Sequence, residues 1–147
     1  RVDVFGKCSI EFRKRVTNPL VHFKGPVGRE KIIEILSNYS GLLSLELQPA
    51  CPNVVIEAQM SGTPILCFDT GSIRELVHPL LNPVMHYNTR PDLYQTPELK
   101  HLNKIADFLV CNFDKHSEIR SYAEKLFEFK KVGEMYLTVI RGETNGL

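Results

Sequence analysis

The sequence predicts an α/β protein built on a doubly wound parallel sheet, and three observations carry that prediction. Short apolar runs alternate along the chain with stretches of helical spacing, the order that forces strands to run parallel with helices between them. The run Thr63 to Phe68 is apolar except at its first residue, as expected of a parallel strand covered on both faces. Helix-start chemistry follows two of the strands directly, at Pro52 and at Ser72.

The elements follow in order. Val2 to Phe5 is a short strand closed by Gly6, and Ile10 to Val16 is a helix charged on one side. Leu20 to Phe23 is a second strand, ended by Gly25-Pro26. After Gly28, the spacing of Ile32, Ile33, Ile35, Leu36 and Tyr39 predicts a helix with one apolar stripe. Leu42 to Leu47 is a third strand and Gln48 to Pro52 a turn. Pro52 suits the first position of a helix, where its missing N–H costs nothing. That helix reaches about Ser61, and Gly62 is suited to stop it. Thr63 to Phe68 is the fourth strand. Ser72 and Glu75 have the spacing of a capping box, and Pro79 and Pro83 end the helix it opens. Val84 to Tyr87 is a fifth strand, and Arg90 to Pro97 is a loop with a cap and first turn at Thr96-Pro97. Leu99, Leu102, Ile105, Ala106 and Leu109 line one helix, and Ile119, Tyr122, Ala123 and Leu126 line the next. A last helix covers Val132 to Ile140, followed by a loose tail from Gly142.

Composition excludes several function classes. The 147 residues are one domain's worth, enough for a real core. A formal net charge of +1 gives no bulk electrostatic reason to bind nucleic acid or an anionic membrane. No apolar run approaches the roughly 18 residues that span a bilayer. Cys8, Cys51, Cys67 and Cys111 are scattered, with no CxxC pair. A disulfide framework is therefore not expected, and a cytoplasmic location is. The five histidines show no metal-ligand spacing, and neither a Walker loop nor GxGxxG is present. The chain opens directly in a strand without a start methionine, which suggests a fragment of a longer protein.

Three features could carry chemistry. The helix near Pro52 would begin at the carboxyl end of the third strand, where open α/β sheets bind ligands, with small Ala50 and Cys51 allowing close approach. Most such helix starts hold only water, so the pattern is compatible with a plain αβ unit. Glu57 is an acid among Val54, Val55, Ile56 and Ala58. It must reach a ligand, a partner or solvent, because burying an unpaired carboxylate is costly. A carboxylate there can accept hydrogen bonds from ribose hydroxyls, or it can be a salt-bridged surface acid. Third, the N–H groups of Gly71 to Ile73, in the loop Asp69-Thr70-Gly71-Ser72, could cradle a phosphate. The same loop also reads as a simple cap, which by itself accounts for Glu75. Cys51 has no partner base, and a buried structural thiol is expected there.

Taken in order, these residues resemble the carboxyl-terminal, donor-binding domain of a GT-B glycosyltransferase, of the retaining group called glycosyltransferase family 4. Val2-Asp3-Val4-Phe5-Gly6 is similar to the family's strand ending in glycine, and Val21-His22-Phe23-Lys24-Gly25-Pro26-Val27 to its "V-x-F-x-G-x-V" strand and turn. Pro52-Asn53-Val54-Val55-Ile56-Glu57-Ala58 with Gly62-Thr63-Pro64-Ile65 resembles the most specific signature, "P-N-V-x-x-E-A-x-x-x-G-x-P-V". Gly71-x-x-x-Glu75-Leu76-Val77 resembles "G-G-x-x-E-[IL]-V".

The resemblance implies a Rossmann-like half of a GT-B fold spanning residues 1–147. It implies a nucleotide-diphosphate sugar as substrate, with hexosyl transfer to an acceptor hydroxyl and retention at the anomeric carbon. It also implies an amino-terminal acceptor domain as partner, and neither cofactor nor metal. Glu57 would hold the ribose, the main chain from Ala50 through Cys51 and Asn53 to Val54 would face sugar and diphosphate, Pro26 and Val27 would lie against the base, and Gly71 and Ser72 would sit near the phosphates.

The departures matter as much. The first acid of the family's E-x7-E motif would fall at position 49, which is Pro49. Glu46 is three residues early, and an odd shift in a strand changes its face. Ser72 replaces the second glycine of the pair. The family's basic Arg and Lys precede the strand with which this chain begins, as does the acceptor domain. The isolated segment is therefore expected to be inactive, because charge on the departing diphosphate would go unstabilised. Two alternatives stand beside the enzyme: a degenerate GT-B domain serving as an interaction or regulatory module, motivated by Pro49, and a nucleotide-sugar epimerase of related architecture.

Overall fold

Parallel strands joined through helices make up the chain, seen in a computed structural model that describes residues 1–46, 50–78, 84–85, 99–110 and 114–142. The chain divides into two compact units, Arg1–Ile32 and Ile33–Leu147.

In the first unit β1 (Val2–Phe5) pairs in parallel with β2 (Val21–Gly25), in the register Asp3↔His22 and Val4↔Phe23 with an irregularity after Val4. Between them lies α1 (Ile10–Arg15), capped by Ser9, whose Oγ accepts the Phe12 N–H at 3.1 Å. Phe12 packs edge-on to Phe23 with centroids 6.2 Å apart, and the Arg13 guanidinium lies 5.6 Å over the Phe23 ring. The Asp3 side chain is fully buried beside Arg1, His22 and Lys24. The single helix expected after Gly28 is instead a 3₁₀ turn, Arg29–Lys31, followed by α2 (Ile32–Ser37), which from Ile33 onward belongs to the second unit. Of the expected apolar stripe only Leu36 is buried, and Ile33 is exposed.

In the second unit β3 (Leu42–Ser44), β4 (Ile65–Phe68) and β5 (Val84–Met85) form a parallel sheet in the order β3-β4-β5. The register runs Leu42↔Ile65 to Ser44↔Cys67 and Cys67↔Val84 to Phe68↔Met85. β3 and β4 are shorter than the sequence predicts. Leu47, Pro79, Pro83, Tyr87, the Arg90–Pro97 loop with Thr96-Pro97, Cys111 and the tail beyond Gly142 lie outside the described residues, wholly or in part.

β4 is the centre of the core. Leu66 and Phe68, on one pleat, cluster with Phe108 of α5 (Leu99–Val110), and Leu43 and Ile105 pack against them. Ile65 and Cys67 point to the other face and are as fully buried, so both faces of the strand are covered. α3 (Asn53–Met60) packs against α6 (His116–Phe127). α6 buries Ile119 and Ala123 completely, two of the four residues in its predicted stripe. α7 (Phe129–Ile140) begins three residues earlier than the spacing suggests.

Candidate functional site

The site is set by the carboxyl ends of β3 and β4. These strands are adjacent, parallel and in register, so the segments leaving them start side by side. A buried hydroxyl ties the segments together: Thr70 Oγ1 donates to the Glu46 carbonyl at 3.2 Å. The Glu46 side chain itself is exposed, and Pro49 lies outside the described residues.

Past β3, Ala50 and Cys51 form an exposed turn into α3. The buried structural thiol expected at Cys51 is not found, because the turn stands outside the core. Cys67 is the buried thiol instead. Pro52 occupies the N-cap position of α3 with an extended backbone (ψ 102°) rather than its first helical residue. The Val55 N–H donates to the Pro52 carbonyl at 3.0 Å. The Pro52 side chain has no group with which to cap the helix, and the first-turn N–H groups of Asn53 and Val54 have no intrahelical partner.

α3 buries Val55, Ala58 and Gln59, an i, i+3, i+4 stripe. Asn53 and Glu57 lie four residues apart on the opposite face, with Asn53 exposed and Glu57 half-buried. The carboxylate therefore lies across the helix from the buried stripe, on a face where Asn53 is exposed and Val54, Ile56 and Met60 are half-buried.

Past β4, Gly71 is exposed with a left-handed φ of 56° and Ser72 is half-buried. Ser72 does sit at the N-cap of α4 (Ile73–Leu76), but the predicted capping box does not form. Its backbone (φ −85°, ψ 4°) is not the extended one that aims Oγ at the helix, and no side-chain cap bond is made. The Ile73 N–H is spent on the Thr70 carbonyl at 3.3 Å, which removes one of the three donors expected for a phosphate.

Sequence reasoning missed two features here. Gln59 is completely buried. Its Nε2 donates to the Leu76 carbonyl at 2.6 Å and its Oε1 accepts the His78 N–H at 3.3 Å. A polar residue on the buried stripe of α3 was the available signal. The second is a bidentate ion pair, in which Arg74 Nε and Nη2 donate to the two carboxylate oxygens of Asp69. Its i, i+5 spacing across a turn has no sequence signature. The hydrogen bond to Asp69, and then its charge, raise the Arg74 guanidinium above its already high ordinary value. Burial, and secondly the Asp69 charge, push the Cys67 thiol up to about 12.

Pro26, exposed, and Val27, half-buried, leave the end of β2 in the first unit. Among the described residues, no group of three or more His, Cys, Asp or Glu side chains could hold a metal ion, and no helix is long and apolar enough to cross a membrane.

No protein-family model matches the chain, and no curated protein matches it. Solved structures do. AviGT4, a glycosyltransferase involved in avilamycin A biosynthesis, matches with a TM-score of 0.67 at 22% identity, over 97% of this chain and 44% of its own. The fold is Rossmann-like. Anabaena Alr3699/HepE in complex with UDP matches with a TM-score of 0.69 at 16% identity, over 95% of this chain and 40% of its own. The GtfA/B complex gives 0.73 at 17% identity, over 95% and 29%. The chain thus spans less than half the length of these structures.

Proposed function

We propose that this chain is the donor-binding, carboxyl-terminal half of a GT-B glycosyltransferase of family 4 type. The parent enzyme would move a hexosyl unit from a nucleotide-diphosphate sugar to an acceptor hydroxyl, with retention, in the company of an amino-terminal acceptor domain. One observation carries the reading: the P-N-V-x-x-E-A signature and the Gly71-Ser72 turn leave the carboxyl ends of two neighbouring parallel strands, joined there by Thr70 and Glu46. Support also comes from the matching Anabaena protein, solved with UDP and with UDP-glucose.

The chemistry follows from the parts. N–H groups at Asn53 and Val54, with the positive end of α3, favour an anion. Glu57 stands four residues on, about 6 Å along the helix axis, where its carboxylate can accept both ribose hydroxyls of the same ligand. Ala50, Cys51, Gly71 and Ser72 border the phosphates and sugar with little side-chain bulk. No acid or base of this segment is assigned a proton-transfer role.

The test is calorimetry on the full-length protein with UDP, GDP, ADP and their sugars. One nucleotide is expected to bind, and Glu57→Ala to weaken it about tenfold or more, the worth of a lost charge-assisted hydrogen bond. Failure of every nucleotide to bind would sink the donor-binding reading, while unchanged affinity in Glu57→Ala would remove only the ribose role. The second reading, a non-catalytic interaction or regulatory module, is favoured by Pro49 where the family has its sugar-contacting acid. Nucleotide binding with no sugar transfer to any acceptor would select it.

A further inference from the structure

Between Lys31 and Arg90 the sequence holds a single lysine or arginine, Arg74. It stands just past the Gly71-Ser72 turn, and its guanidinium lies on Asp69, the residue at the end of β4. The two partners differ sharply in exposure: the Asp69 side chain is 10% exposed and that of Arg74 70%. A nearly buried carboxylate therefore grips one edge of an exposed fork. A guanidinium has five N–H donors. With Nε and one Nη2 proton on Asp69, the second Nη2 proton and one Nη1 proton form a second fork on the outer edge. A planar fork presented in this way suits bidentate recognition of phosphate.

The pair is not needed to hold the loop. Thr70 already anchors it to the Glu46 carbonyl, and Gln59 anchors the far end of α4 at Leu76. Both anchors are buried or part-buried hydrogen bonds, whereas an ion pair with an exposed partner adds little to stability. What Asp69 does supply is orientation, so the fork need not be ordered when a ligand arrives.

We propose that Arg74, oriented by Asp69, binds the pyrophosphate group of the nucleoside diphosphate through the N–H donors that Asp69 leaves free. The inference rests on the donor-binding reading. Arg74 is the binding residue, and Asp69 is a positioning residue.

The experiment compares nucleoside with nucleoside diphosphate (uridine with UDP, guanosine with GDP, adenosine with ADP) in the full-length protein, by calorimetry at several salt concentrations. Arg74→Gln is expected to lower diphosphate affinity about tenfold, with nucleoside affinity within about twofold and a shallower salt dependence. Asp69→Asn keeps the cation but loosens it, and is expected to lose about threefold on the diphosphate alone. A diphosphate-to-nucleoside ratio unchanged in Arg74→Gln overturns the proposal, as do equal losses on both ligands, which would mean damage to the loop. Should Arg74→Gln fail to fold, Arg74→Lys reads the same ratio without the fork. Wild-type protein that binds neither ligand ends the donor-binding reading itself. Wild-type protein that prefers the diphosphate, with an unaltered ratio in the variants, ends only the role of Arg74.

Discussion

The Cys67 thiol sits in the middle of β4 with no exposure, two residues before Asp69. Ionising it would place a charge in the core beside a carboxylate, so its folded pKa rises from 9.0 to about 12. The unfolded chain ionises near the ordinary value, and the folded chain does not. The contribution of the neutral thiol is therefore complete below about pH 9 and is lost as pH climbs toward 12. At pH 10.5 the loss relative to pH 8 is about 2 kcal/mol. Urea unfolding of wild type and Cys67→Ala should show this: the variant starts less stable because of its cavity, and its profile falls less steeply with pH. Parallel profiles would mean that the thiol ionises as easily folded as unfolded. Glu57 shows what was legible at this scale. The sequence marks it as an acid that must have a reason, and the α3 periodicity places it opposite the buried stripe. Gln59 was legible only as a polar residue on the buried stripe, because its partners are main-chain groups of Leu76 and His78 that only tertiary packing brings to it.

At the scale of elements, α3 shows how a local signal and a tertiary contact combine. Its end is a Schellman turn. The Gly62 N–H donates to the Gln59 carbonyl at 2.9 Å and the Thr63 N–H to the Ala58 carbonyl at 2.8 Å. Gly62 takes a φ of 77°, which any other residue adopts at a cost of about 1–2 kcal/mol. The α6 side closes the space above it: an added Cβ would stand 2.7 Å from the His116 carbonyl oxygen. The His116 ring Nδ1 also lies 2.9 Å from the Gly62 carbonyl oxygen. Gly62→Ala is accordingly expected to destabilise by about 2–4 kcal/mol in chemical denaturation, more than the backbone term alone. A loss below about 0.5 kcal/mol would show that α6 yields freely at this point. The glycine stop is readable in sequence because its cause is local. The failure of the Ser72–Glu75 box is not, because α4 is a single turn whose start is set by Thr70 and whose end is set by Gln59.

At the scale of the molecule, alternation of strands and helices was enough to read the parallel fold, but not where cohesion is concentrated. The second unit holds a strand of four consecutive buried residues, Ile65–Phe68, with helices covering it. In Arg1–Ile32 no residue as a whole is buried, although the Asp3 side chain is. The unit has only two strands and one short helix, and two-stranded arrangements and segments below about 40 residues rarely hold themselves together. Its cohesion rests on the Phe12–Phe23 contact and the charges gathered on Asp3, each of modest worth beside a close-packed core. Native-state hydrogen exchange should therefore be graded along the chain. Amides of β4 and the middle of α3 are expected to exchange only through global opening, while those of β1 and β2 open locally. A difference of about 3 kcal/mol in opening free energy corresponds to rates differing by about a hundredfold. Equal protection in the two sheets would mean that the β1–β2 pair opens only with β4, and that the division at Ile32 has no energetic counterpart.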